Sequence, residues 1–558
     1  MKKITLLILF LLVAVSAFAD KLSERQAQEV AANFFTDGIA TKAAPSLHLA
    51  MKGGPAADPA FYVFNRDGGG FVIVGSDTRY EPVLGYSMEN SFKTEGMPAN
   101  LAHWLNLIAE GAANRPATKA AYGASVHQVI RYLSTAKWDQ DAPYNNMCPD
   151  VSGRGRAVTG CTNTATATIM YYHKWPAAGH GDLPGYSYTV YGTSRHYTVE
   201  GHSLGHPYAW DKMRSSYPTG RYSEEEAEAV AMLMFDVGVM NQAQYDIPDA
   251  GTGTAVVIDE TLPAYMDYDR GIRYIERSWY SDAEWCRVLK KEIDENRPLM
   301  YCNDEHAFVV DGYDSADYFS INFGWSGSGD GYYPVSIHNF TANDNLHFVS
   351  DTRNNCAVIG IKPARGGAVV RDFVVYEAKY ADADAVRFGG ETNCNLQLGP
   401  IKGAFSGEFR LALVDKNMTI KSFASDAYSQ STVTEGRVIR ATLKCKANVE
   451  SMKATDFIAV CYKYAGDDEW TVSTNHLLPV APTRFIVIKD GTYRAGERFA
   501  FELTEGGDYY NVLYYLDDKV VDKGADITLT SGKHTIKAEV YSDKNVLERT
   551  IVQVIEVK

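Results

Sequence analysis

The chain has 558 residues, more than one hydrophobic core organises, and its length predicts roughly three or four domains. With 46% hydrophobic and 22% charged residues it has a globular composition, which excludes a disordered or fibrous protein. Its formal net charge of −15 disfavours nucleic acid and anionic lipid as partners, because both are bound by clustered Lys and Arg.

The N-terminus has the pattern of a cleavable secretory signal. Lys2 and Lys3 precede an apolar run over residues 4–15, and Ala17-Phe18-Ala19 provides the small residues that a signal peptidase recognises. The run is too short to span a bilayer well, and no second apolar stretch of spanning length follows. We therefore expect a signal peptide over residues 1–19, a secreted mature chain and no membrane span.

Residues 20–125 predict a small α+β region that ends in an exposed linker. The linker, residues 111–125, is rich in Gly, Ala and Ser and has the composition of a segment open to cleavage. The patterns before it predict a helix over 22–35 with Ser23 as its N-cap, strands over 60–64 and 71–74 joined by a glycine turn at 67–70, and a helix over 101–108.

Residues 126–365 predict an α+β domain in which helices precede an antiparallel sheet. The predicted helices cover residues 161–173, 224–237 and 285–295, and the predicted strands cover 307–310, 318–322 and 332–335. Residues 366–480 and 481–558 have short alternating strands and turns, which is the pattern of two β-sandwich domains, the second Ig-like.

Eight cysteines are few for a secreted protein of this length and form no disulfide framework, and their pairing does not follow from the sequence. No CxxC pair occurs, so a zinc site is not indicated. Cys161 follows Gly160 at the predicted start of a helix, where unpaired N–H groups and the helix dipole favour a thiolate. A buried, inert cysteine is the alternative interpretation of this segment.

A nucleophilic thiolate needs a base, a group that orients the base, and donors for the oxyanion. His306 lies 145 residues after Cys161, at the start of an apolar strand, and so is the candidate base. Asn322, at the end of the next strand, is the candidate for orienting the imidazole. Gln140 and the Cys161 N–H are the candidate oxyanion donors, and a solvated loop residue is the alternative interpretation of Gln140, which spacing alone does not exclude.

Several motifs in one order closely resemble the streptopain family of papain-like cysteine peptidases. The resemblance covers residues 126–365, and residues 71–74 and 81–86 resemble the inhibitory propeptide of that family. The motifs are Gln140 with Pro143-Tyr144-Asn145, Gly160-Cys161 with Thr164-Ala165-Thr166-Ala167, Tyr172-His173-Lys174-Trp175-Pro176, His306-Ala307-Phe308-Val309-Val310-Asp311-Gly312, and Asn322-Phe323-Gly324-Trp325.

The resemblance implies a bacterial cysteine endopeptidase made as a zymogen and exported to the extracellular space, the periplasm or the outer surface. It implies Cys161 as nucleophile, His306 as base and Gln140 as oxyanion donor, with protein or peptide substrates, the prodomain as intramolecular inhibitor, and neither a metal nor an organic cofactor. The prodomain is expected either to cover the cleft or to hold His306 away until it is cleaved.

The sequence departs from the family pattern at two positions beside the predicted site. Phe323 stands where the family has Trp, and Glu305 stands where it often has Gly. An acidic Glu305 at the lip of the cleft would favour basic groups in substrates, and Trp325 and Thr252 are the other candidate substrate-binding residues. Thr252 lies in a small-residue loop that matches the family's cleft only loosely.

Two other functions fit the same sequence. One is a secreted binding or adhesion protein with a relic peptidase domain, in which the β domains carry the function. The other is a different thiol hydrolase, such as a cell-wall amidase or a transglutaminase-like enzyme, because the same Cys-His chemistry would serve it.

Overall fold

The computed structural model shows two compact units, Met1–Ser278 with Asp282–Val369 and Trp279–Ser281 with Val370–Lys558. It describes residues 21–36, 45–77, 82–113, 126–151, 153, 155–190, 192–246, 251–302, 306–335, 355–365, 371–387, 390–447, 452, 455–481, 484–487, 494–496, 498–499, 501–504, 511–522, 527–541 and 547–558. The predicted signal peptide, most of the predicted linker and Glu305 lie outside these residues.

The N-terminal region is a four-stranded meander with one helix before it and one after it. Ser23 caps the first helix: its hydroxyl accepts the Gln26 N–H, and the Gln26 side chain accepts the Ser23 N–H. The elements are α1 (Glu24–Thr36), β1 (Leu47–Gly53), β2 (Phe61–Arg66), β3 (Phe71–Gly75), β4 (Val83–Ser87) and α2 (Ala99–Ala113).

The rest of the first unit places its long helices before the main strands. Its elements are β5 (Val129–Tyr132), α3 (Cys161–His173), β6 (Asp182–Leu183), β7 (Tyr186–Thr189), β8 (His196–Val199), β9 (His202–Ser203), α4 (Glu224–Met240), β10 (Gln244–Tyr245), β11 (Thr252–Gly253), α5 (Ile258–Tyr265), β12 (Arg273–Glu276), a 3₁₀ turn (Arg277–Trp279), α6 (Asp282–Asp294), β13 (Leu299–Cys302), β14 (Ala307–Asp314), β15 (Tyr318–Asn322), β16 (Gly331–Pro334) and β17 (Cys356–Ile359).

One antiparallel sheet runs through both regions of this unit. Its strand order is β1-β2-β3-β4-β16-β15-β14-β13-β17-β12, and β5 also pairs with β14. The N-terminal meander joins the sheet where β4 pairs with β16, with Tyr86 opposite Tyr332. Val309 on β14 faces Asn322 on β15, so His306, just before β14, lies beside the residues that follow Asn322.

The helix α3 packs against β14 in the main core of the unit. Residues 162–170 are all buried, and the first seven of them are small or medium-sized, which lets this helix lie deep between the sheet and α4. It ends at Lys174, whose backbone is left-handed, before Trp175-Pro176. Cys302 and Cys356 face each other on β13 and β17 and form a disulfide.

The described part of the second unit is built from β-strands. A three-stranded sheet, β18-β20-β24, and a seven-stranded sheet share one core, and a four-stranded sheet, β32-β31-β34-β35, has another. The strands are β18 (Asp372–Tyr380), β19 (Val386–Arg387), β20 (Gly390–Lys402), β21 (Phe405–Val414), β22 (Ile420–Phe423), β23 (Tyr428–Val433), β24 (Ile439–Ala447), β25 (Phe457–Tyr464), β26 (Thr471–Val472), β27 (Leu478–Ala481), β28 (Arg484–Val487), β29 (Arg498–Phe499), β30 (Phe501–Thr504), β31 (Asn511–Leu516), β32 (Lys519–Val521), β33 (Ile527–Thr528), β34 (Gly532–Tyr541) and β35 (Leu547–Val557).

The long helices and the strands predicted from periodicity are confirmed within a few residues at their ends. The sequence did not predict α5, the short hairpins of β6–β9, or the continuation of the N-terminal meander into the sheet of the second region. In the described residues, no helix is both long enough and apolar enough to cross a bilayer. The domain boundaries near 366 and 480 stay predictions.

Candidate active site

Cys161 is the first residue of α3, at the end of the helix where main-chain N–H groups are unpaired. Gly160 before it has φ 88° and ψ 145°, a conformation that is essentially reserved for glycine. A Cβ at Gly160 would lie 2.9 Å from the Thr252 carbonyl oxygen. The glycine therefore lets the chain turn sharply against a neighbouring loop and present the thiol at the helix start.

The imidazole of His306 forms a hydrogen bond with the Cys161 sulfur, and each group changes the ionisation of the other. Burial raises the pKa of the thiol, but His306 and the main chain at Ala307 and Thr162 outweigh burial and lower that pKa to about 7. Burial also favours neutral His306, yet the facing sulfur and the Phe323 carbonyl raise the imidazole pKa above its usual range. The pair therefore favours thiolate and imidazolium near neutral pH.

The second ring nitrogen of His306 is held by main chain. Nε2–H donates to the Phe323 carbonyl oxygen at 3.0 Å, which leaves Nδ1 for Cys161. The sequence predicted that the Asn322 amide would orient the imidazole, and the structure differs. Asn322 donates instead to Thr135 Oγ1 at 2.9 Å and to the Ala136 carbonyl at 2.8 Å.

Asn322 still acts on the imidazole, one peptide group away. Its Oδ1 accepts the Gly324 N–H at 3.0 Å, and that N–H belongs to the same peptide group as the Phe323 carbonyl. The Phe323 N–H donates to Asp330 Oδ1 at 2.9 Å. Residues 322–330, which we term the support loop, thus fix the acceptor of His306 from both sides.

Gln140 is held against the segment that leads to Cys161, and its role as an oxyanion donor stays a prediction. It is buried, and its carbonyl accepts the Thr159 N–H at 3.1 Å, two residues before Cys161. Its neighbour Asp139 accepts the Ser326 hydroxyl at 2.5 Å, and the Ser326 N–H donates to the Trp138 carbonyl at 2.9 Å. These bonds clamp the Gln140 segment to the support loop, so the two sides of the site move together.

The three candidate substrate-binding residues have different environments. Thr252 is buried, and its hydroxyl donates to the Val158 carbonyl at 2.6 Å, so it supports the turn that ends at Cys161. Trp325 is half-buried on the support loop, and its indole N–H has no hydrogen-bond partner among the described residues. Glu305 is outside the described residues. Substrate contact by these residues stays a prediction.

The N-terminal region packs directly on the support loop and on β16. Trp104 of α2 meets Tyr333 edge to face at 5.6 Å, and Tyr333 in turn meets Phe323 at 6.0 Å. The Asn90 amide donates to the Asp330 carbonyl at 3.1 Å. His306 is hydrogen-bonded to Cys161 with this region docked. That the region covers the cleft or holds the imidazole away until cleavage stays a prediction.

The geometry defines a class of protein. A thiol at a helix start, paired with an imidazole whose other nitrogen is held, is the arrangement of enzymes that form thioester intermediates. In the described part of the chain, no group of three or more His, Cys, Asp or Glu residues is arranged to hold a metal ion.

Comparison with known proteins narrows this class. The family model described as "Peptidase C10 family" matches residues 138–333, and the one described as "Spi protease inhibitor" matches residues 19–111. The chain is 30% identical to streptopain of Streptococcus pyogenes over 379 residues, 62% of this chain and 94% of streptopain. It is 30% identical to the thiol protease/hemagglutinin PrtT of Porphyromonas gingivalis over 381 residues, 63% of this chain but 43% of PrtT.

Among solved structures, a prointerpain A fragment of Prevotella intermedia is 30% identical, with a TM-score of 0.45 over 57% of this chain and 100% of that one. Active interpain A is 32% identical, with a TM-score of 0.34 over 41% of this chain and 93% of that one. The chain belongs to the streptopain family of cysteine peptidases, and its N-terminal region is an inhibitor-like prodomain.

Proposed function

We propose that the chain is a secreted zymogen of a protein-cleaving endopeptidase, with Cys161 as nucleophile and His306 as general acid and base. The observation that carries this proposal is the Cys161–His306 pair, with the thiol pKa lowered to about 7 and the imidazole pKa raised. Export is supported by the signal pattern of residues 1–19.

In the first step, the Cys161 sulfur attacks the carbonyl carbon of a peptide bond and forms a carbon–sulfur bond. The carbonyl oxygen takes the negative charge, and the Cys161 N–H and the Gln140 amide stabilise it. The proton on His306 Nδ1 then passes to the leaving nitrogen as the carbon–nitrogen bond breaks, so an amine leaves and a thioester remains.

In the second step, neutral His306 takes a proton from water, and the resulting hydroxide attacks the thioester carbonyl. The carbon–sulfur bond breaks, the acid product leaves, and Cys161 returns as thiolate beside a protonated His306. The Phe323 carbonyl stays bonded to Nε2–H throughout, so the ring keeps one orientation while Nδ1 loses and regains its proton.

The prodomain is the proposed intramolecular inhibitor. Its docking on β16 and on the support loop supports this role, as does its match to the "Spi protease inhibitor" description. His306 is paired with Cys161 while the prodomain is docked, so inhibition by covering the cleft needs no displacement of the imidazole.

The test is to label the activated protein with a thiol-reactive peptide epoxide, locate the label by mass spectrometry, and follow casein digestion. We expect the label on Cys161, with loss of casein cleavage in proportion to labelling. Cys161→Ala should abolish cleavage, whereas Cys286→Ala, which removes a buried thiol of α6, should retain it.

Three results would contradict the proposal. Casein cleavage by Cys161→Ala would exclude Cys161 as nucleophile. An activated protein that neither binds the epoxide nor cleaves casein would favour a binding protein with a relic peptidase domain, while labelling without cleavage would favour a thiol hydrolase with another substrate.

A further inference from the structure

Asp330 is a buried carboxyl that no step of the proposed mechanism uses, yet two hydrogen bonds join it to the imidazole. Its Oδ1 accepts the Phe323 N–H at 2.9 Å, and the Phe323 carbonyl accepts His306 Nε2–H at 3.0 Å. Only 6% of Asp330 is exposed. The acceptor of the imidazole is therefore itself held in place by a carboxylate from the far end of the support loop.

The two peptide groups that flank Phe323 are both fixed by side chains. Asp330 holds the Phe323 N–H on one side, and Asn322 Oδ1 holds the Gly324 N–H on the other. The Phe323 carbonyl shares its peptide group with the Gly324 N–H, so it changes direction only if that group turns about the Phe323 Cα–C bond and the Gly324 N–Cα bond. Asn322 holds this group directly and Asp330 holds the preceding one, so the carbonyl points at Nε2, and removing the Asp330 contact frees the preceding group.

The surroundings of Asp330 disfavour its ionised form. Burial raises the pKa of its carboxyl to about 7, although the Phe323 N–H and Lys137 lower that pKa, and Asp311 raises it further. Because its folded-state pKa lies above the ordinary value, the contribution of this carboxyl to stability falls as the pH rises from about 4 toward 7.

The carboxyl group lines a cavity of about 200 Å³ that the prodomain closes on one side. The prodomain residue Asn90 contacts Lys137 and the Asp330 carbonyl there. The charged and titratable groups that face Asp330 or line this cavity are Lys137, Asp311, Tyr132, Tyr332, Tyr333 and, from the prodomain, Glu89.

We propose that Asp330 is a positioning residue for the catalytic imidazole, acting through the main chain of Phe323. This inference rests on the proposed roles of Cys161 and His306. Asp330, the last residue of the support loop, then has the orienting role that the sequence predicted for a direct contact between the Asn322 amide and the imidazole.

The experiment uses the activated enzyme and its Asp330→Ala and Asp330→Asn variants, each calibrated by active-site titration with the peptide epoxide. Asp330→Ala removes the acceptor, whereas Asp330→Asn keeps a carbonyl oxygen that can accept the Phe323 N–H. We expect Asp330→Ala to lower kcat about tenfold to a hundredfold per titrated site with little change in KM. Asp330→Asn should restore most of kcat.

A second readout separates positioning from general damage to the fold. The pH dependence of Cys161 alkylation by iodoacetamide reports the thiolate, and in Asp330→Ala its midpoint should move upward because the imidazole is held less well. Asp236→Asn is the matched control, since Asp236 is a fully buried carboxylate on α4 that bonds His202 and His206 instead of the support loop. Its alkylation midpoint should equal that of the parent enzyme.

Unchanged kcat per titrated site together with an unchanged alkylation midpoint in Asp330→Ala would overturn the positioning role. If Asp330→Ala fails to fold, Asp330→Ser makes the same test, because its hydroxyl is too short to reach Phe323 and tolerates water in the cavity. Parent enzyme that is not labelled at Cys161 would instead refute the proposed function, so the two failures are distinguishable.

Discussion

Gly160 is required where the chain enters α3 for two reasons, its backbone conformation and the space beside it, and the two can be tested separately. Its backbone lies in a region that L-residues avoid, at a cost of about 1–3 kcal/mol for any other residue, and a Cβ would also meet the Thr252 carbonyl at 2.9 Å. Gly220, which is exposed, has a similar φ of 73° but open space around its Cβ position.

We expect Gly160→Ala to lower both the melting temperature and kcat, because relief of the contact with Thr252 displaces Cys161. Gly220→Ala, the control, should lower the melting temperature by a smaller amount and leave kcat near the parent value. Thermal melts and kcat per titrated site measure the two effects. Equal losses of kcat in the two variants would mean that the contact with Thr252 does not matter.

The ionisation of the Cys161–His306 pair predicts the pH dependence of the reactive thiol. Because the pKa of Cys161 is lowered to about 7, the rate of its alkylation by iodoacetamide should rise as the pH passes through about 7. In His306→Asn the lowering partner is gone and burial remains, so the midpoint should move above the usual value near 9. His180→Asn, on a residue bonded to Asp267 away from Cys161, should leave the profile unchanged.

For the individual residues of the site, the sequence predicted Cys161 and His306 but not the groups that hold the imidazole in place. Cys161 and His306 could be recognised because a thiol and an imidazole are reactive side chains, and because their separation of 145 residues is typical of papain-like peptidases. The acceptor for His306 is a main-chain carbonyl, which every residue type has, so no side-chain pattern marks Phe323. Asp330 left no signal either, since its role depends on a loop returning to contact its own start.

A side-chain hydrogen bond between β4 and β14 links the prodomain to the catalytic region. The Tyr86 hydroxyl donates to Asp314 Oδ2 at 3.0 Å, and Asp314 is fully buried and also bonded to His127. A hydrogen bond to a buried charged group contributes about 1.5–3 kcal/mol.

Tyr86→Phe removes this hydroxyl and keeps the ring that stacks on Tyr332. We expect the apparent inhibition constant of the processed but unseparated protein, measured by its gain of activity on dilution, to rise about tenfold to a hundredfold. Tyr62→Phe is the control, because its hydroxyl contacts Leu22 within the prodomain. Equal inhibition constants for the two variants would show that Asp314 does not hold the prodomain.

The disulfide between β13 and β17 closes a segment that contains His306. The two cysteines are 54 residues apart in the sequence, and a link of this length stabilises a fold by about 2–4 kcal/mol. The double variant Cys302→Ala, Cys356→Ala should therefore melt at a lower temperature than the parent in a Cys161→Ala background without reductant. Reductant should lower the melting temperature of the parent toward that of the double variant and leave the double variant unchanged. Equal melting temperatures of parent and double variant without reductant would show that the disulfide does not stabilise the fold.

The α3 helix and the two strands beside the site were predictable because their periodicity is local. The pairing of β13 with β17 joins strands separated by a long stretch of chain, and only that pairing brings Cys302 to Cys356. Cysteine spacing alone does not reveal such a partner, which is why the disulfide was not predicted.

For the whole molecule, the question is whether the second unit is needed for catalysis. Streptopain aligns over 94% of its own length with 62% of this chain, so a large part of this chain has no counterpart in that peptidase. A chain ended after Val369 should fold and cleave a short peptide substrate with kcat within about threefold of the full enzyme. A soluble, epoxide-labelled product without peptide cleavage would mean that the second unit is part of the catalytic machinery.

Because one sheet runs through the prodomain and the catalytic region, removal of the prodomain exposes a strand edge. While the prodomain is docked, β4 covers the outer side of β16. Its departure leaves β16 as a bare edge whose N–H and C=O groups are open to any extended chain, including another copy of the enzyme. We therefore expect the activated enzyme to self-associate more readily than the zymogen at the same concentration.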